Sequence, residues 1–104
     1  MSQTATRQHP RVDAGFVVKL LAGPRAYVAR ALDLSMAGLS LHDPCGLATA
    51  ESLNAVALKL PGVEREVVMP VRIARRQGEE VALAFTHIEW DDMFDLARFL
   101  APKL

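Results

Sequence analysis

Short apolar stretches separated by turn residues, with no helical period between them, constrain the fold of this chain more than any other feature. Gly23-Pro24 and Pro61-Gly62 each end an apolar stretch, and Gln77-Gly78 separates the last two. Strands joined by such short turns pair antiparallel, because a parallel pair needs a long crossover connection. The predicted strands cover residues 16–22, 26–32, 39–41, 56–60, 67–76 and 81–85. Their edges stay unpaired unless the sheet closes, so the sequence predicts a mainly β protein with a six-stranded antiparallel β-barrel.

The periodicity changes near the C-terminus, where apolar residues recur at spacings of three and four. These residues are Met93, Leu96, Ala97 and Leu100. The pattern predicts a C-terminal α-helix that packs its apolar stripe on the barrel, with Asp92 as its cap and Asp95 three positions on. Arg98 suits the last turn, and Pro102 ends the helix. Trp90 and the phenylalanines are assigned to the core or to the helix seam, although an exposed Trp90 would be available to a partner.

Composition and charge exclude several classes of protein. The chain has 104 residues, of which 51% are hydrophobic and 23% charged, and this fits one folded domain. Twelve Lys and Arg residues balance twelve Asp and Glu residues, so no net positive charge attracts a nucleic acid polymer. Cys45 is the only cysteine, which excludes an internal disulfide. With no signal-like or membrane-spanning apolar segment, we expect a cytoplasmic protein without direct membrane insertion.

Two polar signatures lie about twenty residues apart in this apolar sequence. The first is Arg7-Gln-His-Pro-Arg11, on a polar segment that Pro10 biases away from helix, and the second is Asp33-Leu-Ser-Met-Ala-Gly38, at a predicted strand end. Arginine presents a planar fork of N–H donors that fits a phosphate or a guanine edge, and a neighbouring aspartate accepts from the N–H groups of guanine. The two signatures therefore predict a site for an anionic, guanine-bearing ligand.

The order of these features resembles the PilZ domain family. An Arg-x-x-x-Arg motif on an N-terminal arm is followed by strands, an Asp-x-Ser-x-x-Gly motif, further strands and a terminal helix, and the resemblance extends from Arg7 to about Leu100. A second Arg-x-x-x-Arg match, from Arg72 to Arg76, lies inside a predicted strand, so the joint occurrence of both motifs carries the specificity. The resemblance implies a flexible arm, residues 1–12, and a PilZ β-barrel with its helix, residues 13–104, that binds the bacterial second messenger cyclic di-GMP.

The resemblance also implies which residues contact this ligand. The ligand-binding candidates are Arg7, Arg11, Asp33, Ser35 and Gly38, with His9 and Arg75 as further candidates. The two arginines of the arm would contact the phosphates and guanine faces, the aspartate and serine would hydrogen-bond the ligand, and the glycine would permit a turn or a close backbone approach. Thr6 stands where some PilZ proteins have a third arginine, which leaves open whether one ligand molecule or a stacked dimer binds.

The function implied is that of a non-enzymatic receptor that changes conformation on binding and signals to a protein effector. Control of motility, biofilm or exopolysaccharide is the family-level expectation. The alternative is a PilZ-like interaction module of pilus or flagellar assembly that binds no nucleotide. A metal site or nucleophile at His42 and Cys45 is disfavoured, because neither a second ligand pair nor an orienting group accompanies them. No metal, cofactor or catalytic residue is expected.

Overall fold

Six strands close into an antiparallel barrel, as the sequence predicts, and a short additional strand pairs with one of them. The computed structural model describes residues 11–13, 15–46, 48–49 and 53–103. The strands in this part of the chain are β1 (Val12–Asp13), β2 (Val17–Ala22), β3 (Arg25–Leu34), β4 (Gly38–His42), β5 (Ala55–Leu58), β6 (Val67–Gln77) and β7 (Glu80–Phe85). Each predicted strand is present, with ends that differ by at most two residues.

The barrel closes in the order β3-β2-β5-β6-β7-β4, and β4 pairs back with β3. Every pairing is antiparallel. β1 and β2 pair with successive parts of β3, because Val12 faces Leu34 and Val17 faces Arg30. The β6–β7 hairpin turns at Gly78, whose φ of 62° lies in the left-handed region that favours glycine. Closure gives the barrel an inner face for the core and an outer face away from it.

Alternation along each strand fills the barrel with aliphatic side chains. The largest fully buried side chains are Leu20, Leu34, Leu39, Leu41, Leu58, Leu60, Met69, Leu96, Leu100, Val18, Val56 and Val67. The register of β3 against β4 shifts between Ala31 and Asp33, and the extra residue lets Ala31 and Leu34 both point inward. Asp33 is thereby left on the outer face, half-buried, beside its neighbour on β4.

The C-terminal helix, α1 (Trp90–Leu100), is confirmed, and a short 3-10 helix (Ala101–Lys103) follows it. The predicted cap is wrong. The helix begins earlier, with Glu89 at the N-cap and no side-chain cap bond. Asp92 lies in the first turn and faces the barrel, where Arg65 binds its carboxylate and that of Asp95 at 2.8 and 2.7 Å. Among the described residues, no helix is long and apolar enough to cross a membrane.

The aromatic residues divide between the seam of the helix and its outer surface. Phe99 is buried and contacts the half-buried Phe16 edge to face, with ring centroids 6.0 Å apart. The assignment of Trp90 and Phe94 to the core is wrong, because their side chains are 73% and 62% exposed. Ala97, which the periodicity placed on the apolar stripe, is exposed as well. The core stripe of the helix therefore runs through Phe99 and its aliphatic neighbours.

Candidate functional site

Arg11 lies where β1 joins the barrel, on the outer face of β3 and β4. Val12 is buried and pairs with Leu34, so the backbone of Arg11 is anchored next to β3. The Arg11 Nη1 group donates to Asp33 Oδ1 at 3.0 Å and to Ser40 Oγ at 2.9 Å. The structure thus brings together one residue from each predicted signature, Arg11 and Asp33.

The Arg11–Asp33 pair keeps unused hydrogen-bonding capacity at the surface. Both bonds from Arg11 leave through Nη1, and within the described part of the chain its Nε and Nη2 groups have no acceptor. Asp33 Oδ1 also accepts from the backbone N–H of Ser40 at 3.2 Å, while Oδ2 has no donor among the same residues. The side chains of Arg11 and Asp33 are 30% and 24% exposed. A bidentate donor edge and a carboxylate oxygen are therefore accessible side by side.

Ser35 holds the turn between β3 and β4. Its hydroxyl accepts from the backbone N–H of Ala37 at 3.1 Å and donates to the carbonyl of Gly38 at 3.3 Å. The side chain is buried, with 3% of its surface exposed. These bonds form a serine turn that fixes the path of the chain between Asp33 and Gly38. The direct ligand contact predicted for Ser35 stays a prediction, while its role in the turn is visible in the structure.

Gly38 is where the backbones of β4 and β7 approach most closely at this site. A Cβ atom at this position would lie 2.0 Å from the carbonyl oxygen of Leu83 and 3.1 Å from the Cα of Ala84. No side chain fits at such distances, so the close approach requires glycine. The glycine at the last position of the Asp-x-Ser-x-x-Gly motif is therefore required by the packing of β4 on β7, independent of any ligand.

Small residues form a flat area on the outer face next to Arg11. In register across the sheet, Asp33 faces Ser40, Ser40 faces Ala82, and Ala82 faces Arg75. One row further along, Gly38 faces Ala84, which faces Arg72. We call the four small residues between these flanks, Gly38, Ser40, Ala82 and Ala84, the shelf. Across the shelf, β3 and β6 are separated by three interstrand steps of about 4.8 Å, which is roughly 14 Å along the surface.

The arginines of β6 differ in what they contact. Arg72 and Arg75 are exposed beside the shelf, and no hydrogen bond ties either of them to another described residue. Arg76 instead binds Asp43 Oδ2 and the carbonyl of Ala48, both at 2.7 Å. The register therefore places the further candidate Arg75 on the row of Asp33, at the opposite side of the shelf.

Sequence reasoning missed Ser40 and the shelf. Ser40 lies between two inward-pointing leucines, so alternation alone places its hydroxyl on the outer face, two residues after Gly38. Its side chain is nevertheless 1% exposed, and Arg11 donates to it. Two other candidates, Arg7 and His9, lie outside the described residues.

Outside the shelf, His42, Cys45 and Arg65 do not form a second polar site. His42 pairs with Glu79 at 3.0 Å, and Cys45 is exposed as a free thiol. Within the described ranges, no three His, Cys, Asp or Glu side chains are grouped for a metal ion. A groove of about 460 Å³ lies between residues 62–65 and α1, but Arg65 within it is already paired. The hydrogen bond to Asp92 raises the pKa of Arg65 above its ordinary value.

Comparisons with known proteins agree with this architecture. The family model for the PilZ domain matches residues 5–101. The crystal structure of the PilZ domain of CeSA from a cellulose-synthesizing bacterium has a TM-score of 0.68 and 17% identity, covering 91% of this chain and 99% of that chain. The Bacillus subtilis inhibitor of motility MotI/DgrA has a TM-score of 0.76 and 21% identity, covering 93% of this chain and 50% of that one. This chain therefore spans half of the length of MotI/DgrA. No curated protein matches the sequence.

Proposed function

The chain belongs to the PilZ domain family, and we propose that it is a receptor for cyclic di-GMP that binds the dinucleotide on the shelf. PilZ domains are binding and adaptor modules rather than enzymes. The observation that carries the proposal is the Arg11–Asp33 pair at one side of the shelf, with an accessible donor edge and an accessible carboxylate oxygen. These are complementary to the two kinds of group that a guanine nucleotide offers, phosphate oxygens and guanine N–H donors.

Arg11 is the proposed phosphate contact. Its Nη1 group is held by Asp33 and Ser40, which leaves the Nε–Nη2 edge for the ligand and lowers the cost of ordering the side chain on binding. Bidentate, charge-assisted bonds from this edge to a phosphate are stronger than bonds between neutral groups. Asp33 Oδ2 then accepts from a guanine N–H, and the small side chains of the shelf let a purine lie close to the sheet.

Arg7 is the second proposed contact from the same motif. Covalent geometry limits the four chain steps from Arg7 to Arg11 to about 14 Å, which is also the approximate distance from β3 to β6 across the shelf. Arg7 can therefore contact a ligand that Arg11 already holds. We propose that this engagement fixes the segment before Arg11 over the ligand, and that the resulting surface is read by a protein effector. His9, two residues before Arg11, is a further proposed contact of this segment.

The proposed process is control of motility, biofilm or exopolysaccharide, carried out in the cytoplasm. One protein with this fold is named an inhibitor of motility, and another comes from a cellulose-synthesizing bacterium. These names support motility and cellulose as candidate processes. We propose that this chain takes ligand binding as its input and contact with an effector as its output.

Calorimetric titration of the chain with cyclic di-GMP tests the proposal. Arg11→Ala should weaken binding by more than about tenfold, because it removes a charge-assisted bidentate contact. Arg25→Ala is the matched control. Arg25 is an exposed arginine at the other end of β3 that bonds only Tyr27, at 3.4 Å, among the described residues. Equal affinities of Arg11→Ala and the unchanged chain would refute the site, and absence of binding by the unchanged chain would favour the nucleotide-free interaction module.

The same titration resolves ligand stoichiometry and base specificity. A molar ratio near one indicates a single molecule, and a ratio near two indicates a stacked dimer, which Thr6 in place of a third arginine leaves open. Cyclic di-AMP is the control ligand, since adenine lacks the N1–H and N2–H groups of guanine, which would donate to Asp33. Discrimination between the two ligands should fall in Asp33→Asn, and an unchanged preference would remove Asp33 from guanine recognition.

A further inference from the structure

The helix α1 carries an exposed apolar stripe on the side turned away from the barrel. Trp90 and Phe94 are 73% and 62% exposed, and their rings lie 6.4 Å apart. Ala97 and Ala101 continue the same line at spacings of three and four residues, and both are exposed. Ala101 keeps right-handed helical geometry, with φ −53° and ψ −45°, so it lies on the helical path. The stripe is therefore continuous over three turns.

The opposite side of the helix is fully engaged, so the stripe is not a core face turned outward. Leu96, Phe99 and Leu100 are buried in the barrel core. Arg65 binds the carboxylates of Asp92 and Asp95 at 2.8 and 2.7 Å and fixes the first two turns against the barrel. The orientation of α1 is thus set by the core and by ion pairs. An exposed aromatic pair on a helix fixed in this way indicates an interaction surface.

The residue sizes along the stripe favour an antiparallel helix as the occupant. The two aromatic residues, Trp90 and Phe94, lie in its N-terminal half, and the two alanines lie in its C-terminal half. Against a second copy of the same helix running antiparallel, Trp90 meets Ala101 and Phe94 meets Ala97. Large side chains then pack on small ones in both halves of the interface.

The charges beside the stripe point to the same arrangement. Asp91 and Arg98 lie seven residues apart on one flank of the stripe, both exposed, and neither has an ion-pair partner within the described part of the chain. In an antiparallel pair each flank faces the same flank of the other helix, so Asp91 of each copy meets Arg98 of the other. In a parallel pair this flank would face Met93 and Leu100, which carry no charge.

We propose that two copies of this chain associate through antiparallel α1 helices, related by a two-fold axis that passes between Phe94 and Ala97. Such an interface is isologous, so one complementary set of residues is used twice. A contact built from one helix of each copy is smaller than a standard protein interface, so the dimer is weak and forms as the protein concentration rises. The shelf lies on other elements, β4 and β7, and takes no part in this interface.

Sedimentation analysis of the full chain tests the association, over concentrations from about 10 μM to about 1 mM, where small interfaces assemble. The unchanged chain should pass from monomer to dimer within this range. Trp90→Ser with Phe94→Ser should weaken the dimer at least about tenfold, as expected for truncated aromatic contacts. Val28→Ser removes a residue that is 67% exposed on β3 and should leave dimerisation unchanged. A chain that stays monomeric throughout overturns the proposal and leaves the stripe to a different protein.

Charge exchange tests the antiparallel geometry itself. Asp91→Arg and Arg98→Asp should each weaken self-association, whereas the double variant, or an equimolar mixture of the two single variants, should restore it. Circular dichroism confirms that each variant keeps its fold, since Asp91→Arg opposes the helix dipole. Restoration supports the reciprocal pairs of the antiparallel arrangement. If the double variant is as weak as the single ones although folded, the antiparallel arrangement is wrong.

Discussion

Arg11 and Arg76 each end an Arg-x-x-x-Arg motif and each bind an aspartate, yet the two regions differ in what surrounds the pair. Arg76 lies 2.7 Å from Asp43, whose side chain is 3% exposed and also accepts from the backbone N–H of Ala48 at 2.9 Å. Arg11 lies 3.0 Å from Asp33, whose side chain is 24% exposed and borders the shelf. The first region ties a loop to the barrel, whereas the second presents polar groups to solvent.

This difference shows that an arginine–aspartate pair is not by itself a binding site. In the Arg76 region, both bonds leave through Nη2, to a buried carboxylate and to the carbonyl of Ala48, so the guanidinium links a loop to the barrel. In the Arg11 region, the carboxylate is itself partly exposed, so a donor edge and a carboxylate oxygen are accessible together. We therefore expect substitutions near Arg76 to lower stability and substitutions near Arg11 to lower ligand affinity.

The largest effect is expected at Gly38, which belongs to the Arg11 region but also joins β4 to β7. In Gly38→Ala the new Cβ would lie 2.0 Å from the Leu83 carbonyl oxygen, so the strands must separate. We expect unfolding to become easier by about 3 kcal/mol, measured by urea denaturation. Gly15→Ala is the control, because its Cβ would meet no atom within 4 Å. Equal losses in the two variants would show that the close approach of β4 and β7 is unimportant.

The next largest effect is expected at Asp43, in the Arg76 region. Asp43→Ala leaves the buried N–H of Ala48 without this acceptor and removes the partner of Arg76. The free energy of unfolding should fall by about 2 kcal/mol. The affinity for cyclic di-GMP, measured where the variant is folded, should change by less than about twofold, a difference of about 0.4 kcal/mol. A large loss of affinity without loss of stability would reverse the roles assigned to the two regions.

Two single variants, one for each motif arginine, distinguish the two regions by both stability and affinity. Arg11→Ala should change stability by no more than about 1 kcal/mol, since a partly exposed ion pair contributes little, while affinity falls more than about tenfold. Arg76→Ala should lower stability by about 2 kcal/mol, because it removes the guanidinium that the buried Asp43 carboxylate binds, and should keep the affinity. Thermal unfolding and calorimetry on the same samples check both. If Arg11→Ala and Arg76→Ala change stability and affinity in the same way, the two regions do not have the different roles assigned to them.

The smallest effect is expected at Arg75, on the far side of the shelf. It lies on the row of Asp33, and no hydrogen bond to another described residue holds its side chain in one orientation, so ordering that side chain on the ligand opposes binding. Arg75→Ala should weaken binding by about threefold, close to 0.7 kcal/mol. Arg25→Ala is the control, because Arg25 is an exposed arginine at the far end of β3 whose side chain bonds only Tyr27 among the described residues. No difference between these two variants would remove Arg75 from the site.

The strands, their turns and the C-terminal helix could be predicted from the sequence, because alternation and glycine turns are local signals. Gly38 was predicted to permit a turn or a close approach, and the approach to Leu83 is present. Contacts between distant segments left no such signal. Arg65 with Asp92, and Arg11 with Ser40, depend on which strands become neighbours when the barrel closes.

Exposure of the aromatic residues on α1 could not be predicted for a related reason. Periodicity identifies an apolar stripe, but this helix has apolar residues on two sides, and only its docking shows which side meets the barrel. Asp92 fits the pattern of a cap, yet its carboxylate faces Arg65, and the helix extends one turn further toward the N-terminus. In both cases, tertiary contacts decide between arrangements of the helix that are both compatible with the sequence pattern.

Amide chemical-shift mapping shows whether cyclic di-GMP lies on the shelf beside Arg11, which is the claim on which the proposed function depends. Addition of the ligand at constant protein concentration should shift the amide signals of Gly38, Ser40, Ala82 and Ala84 most. The signals of Val28 and Val68, which are exposed on β3 and β6, should stay in place. Shifts confined to residues away from the shelf, or no shifts at saturating ligand, would contradict the account.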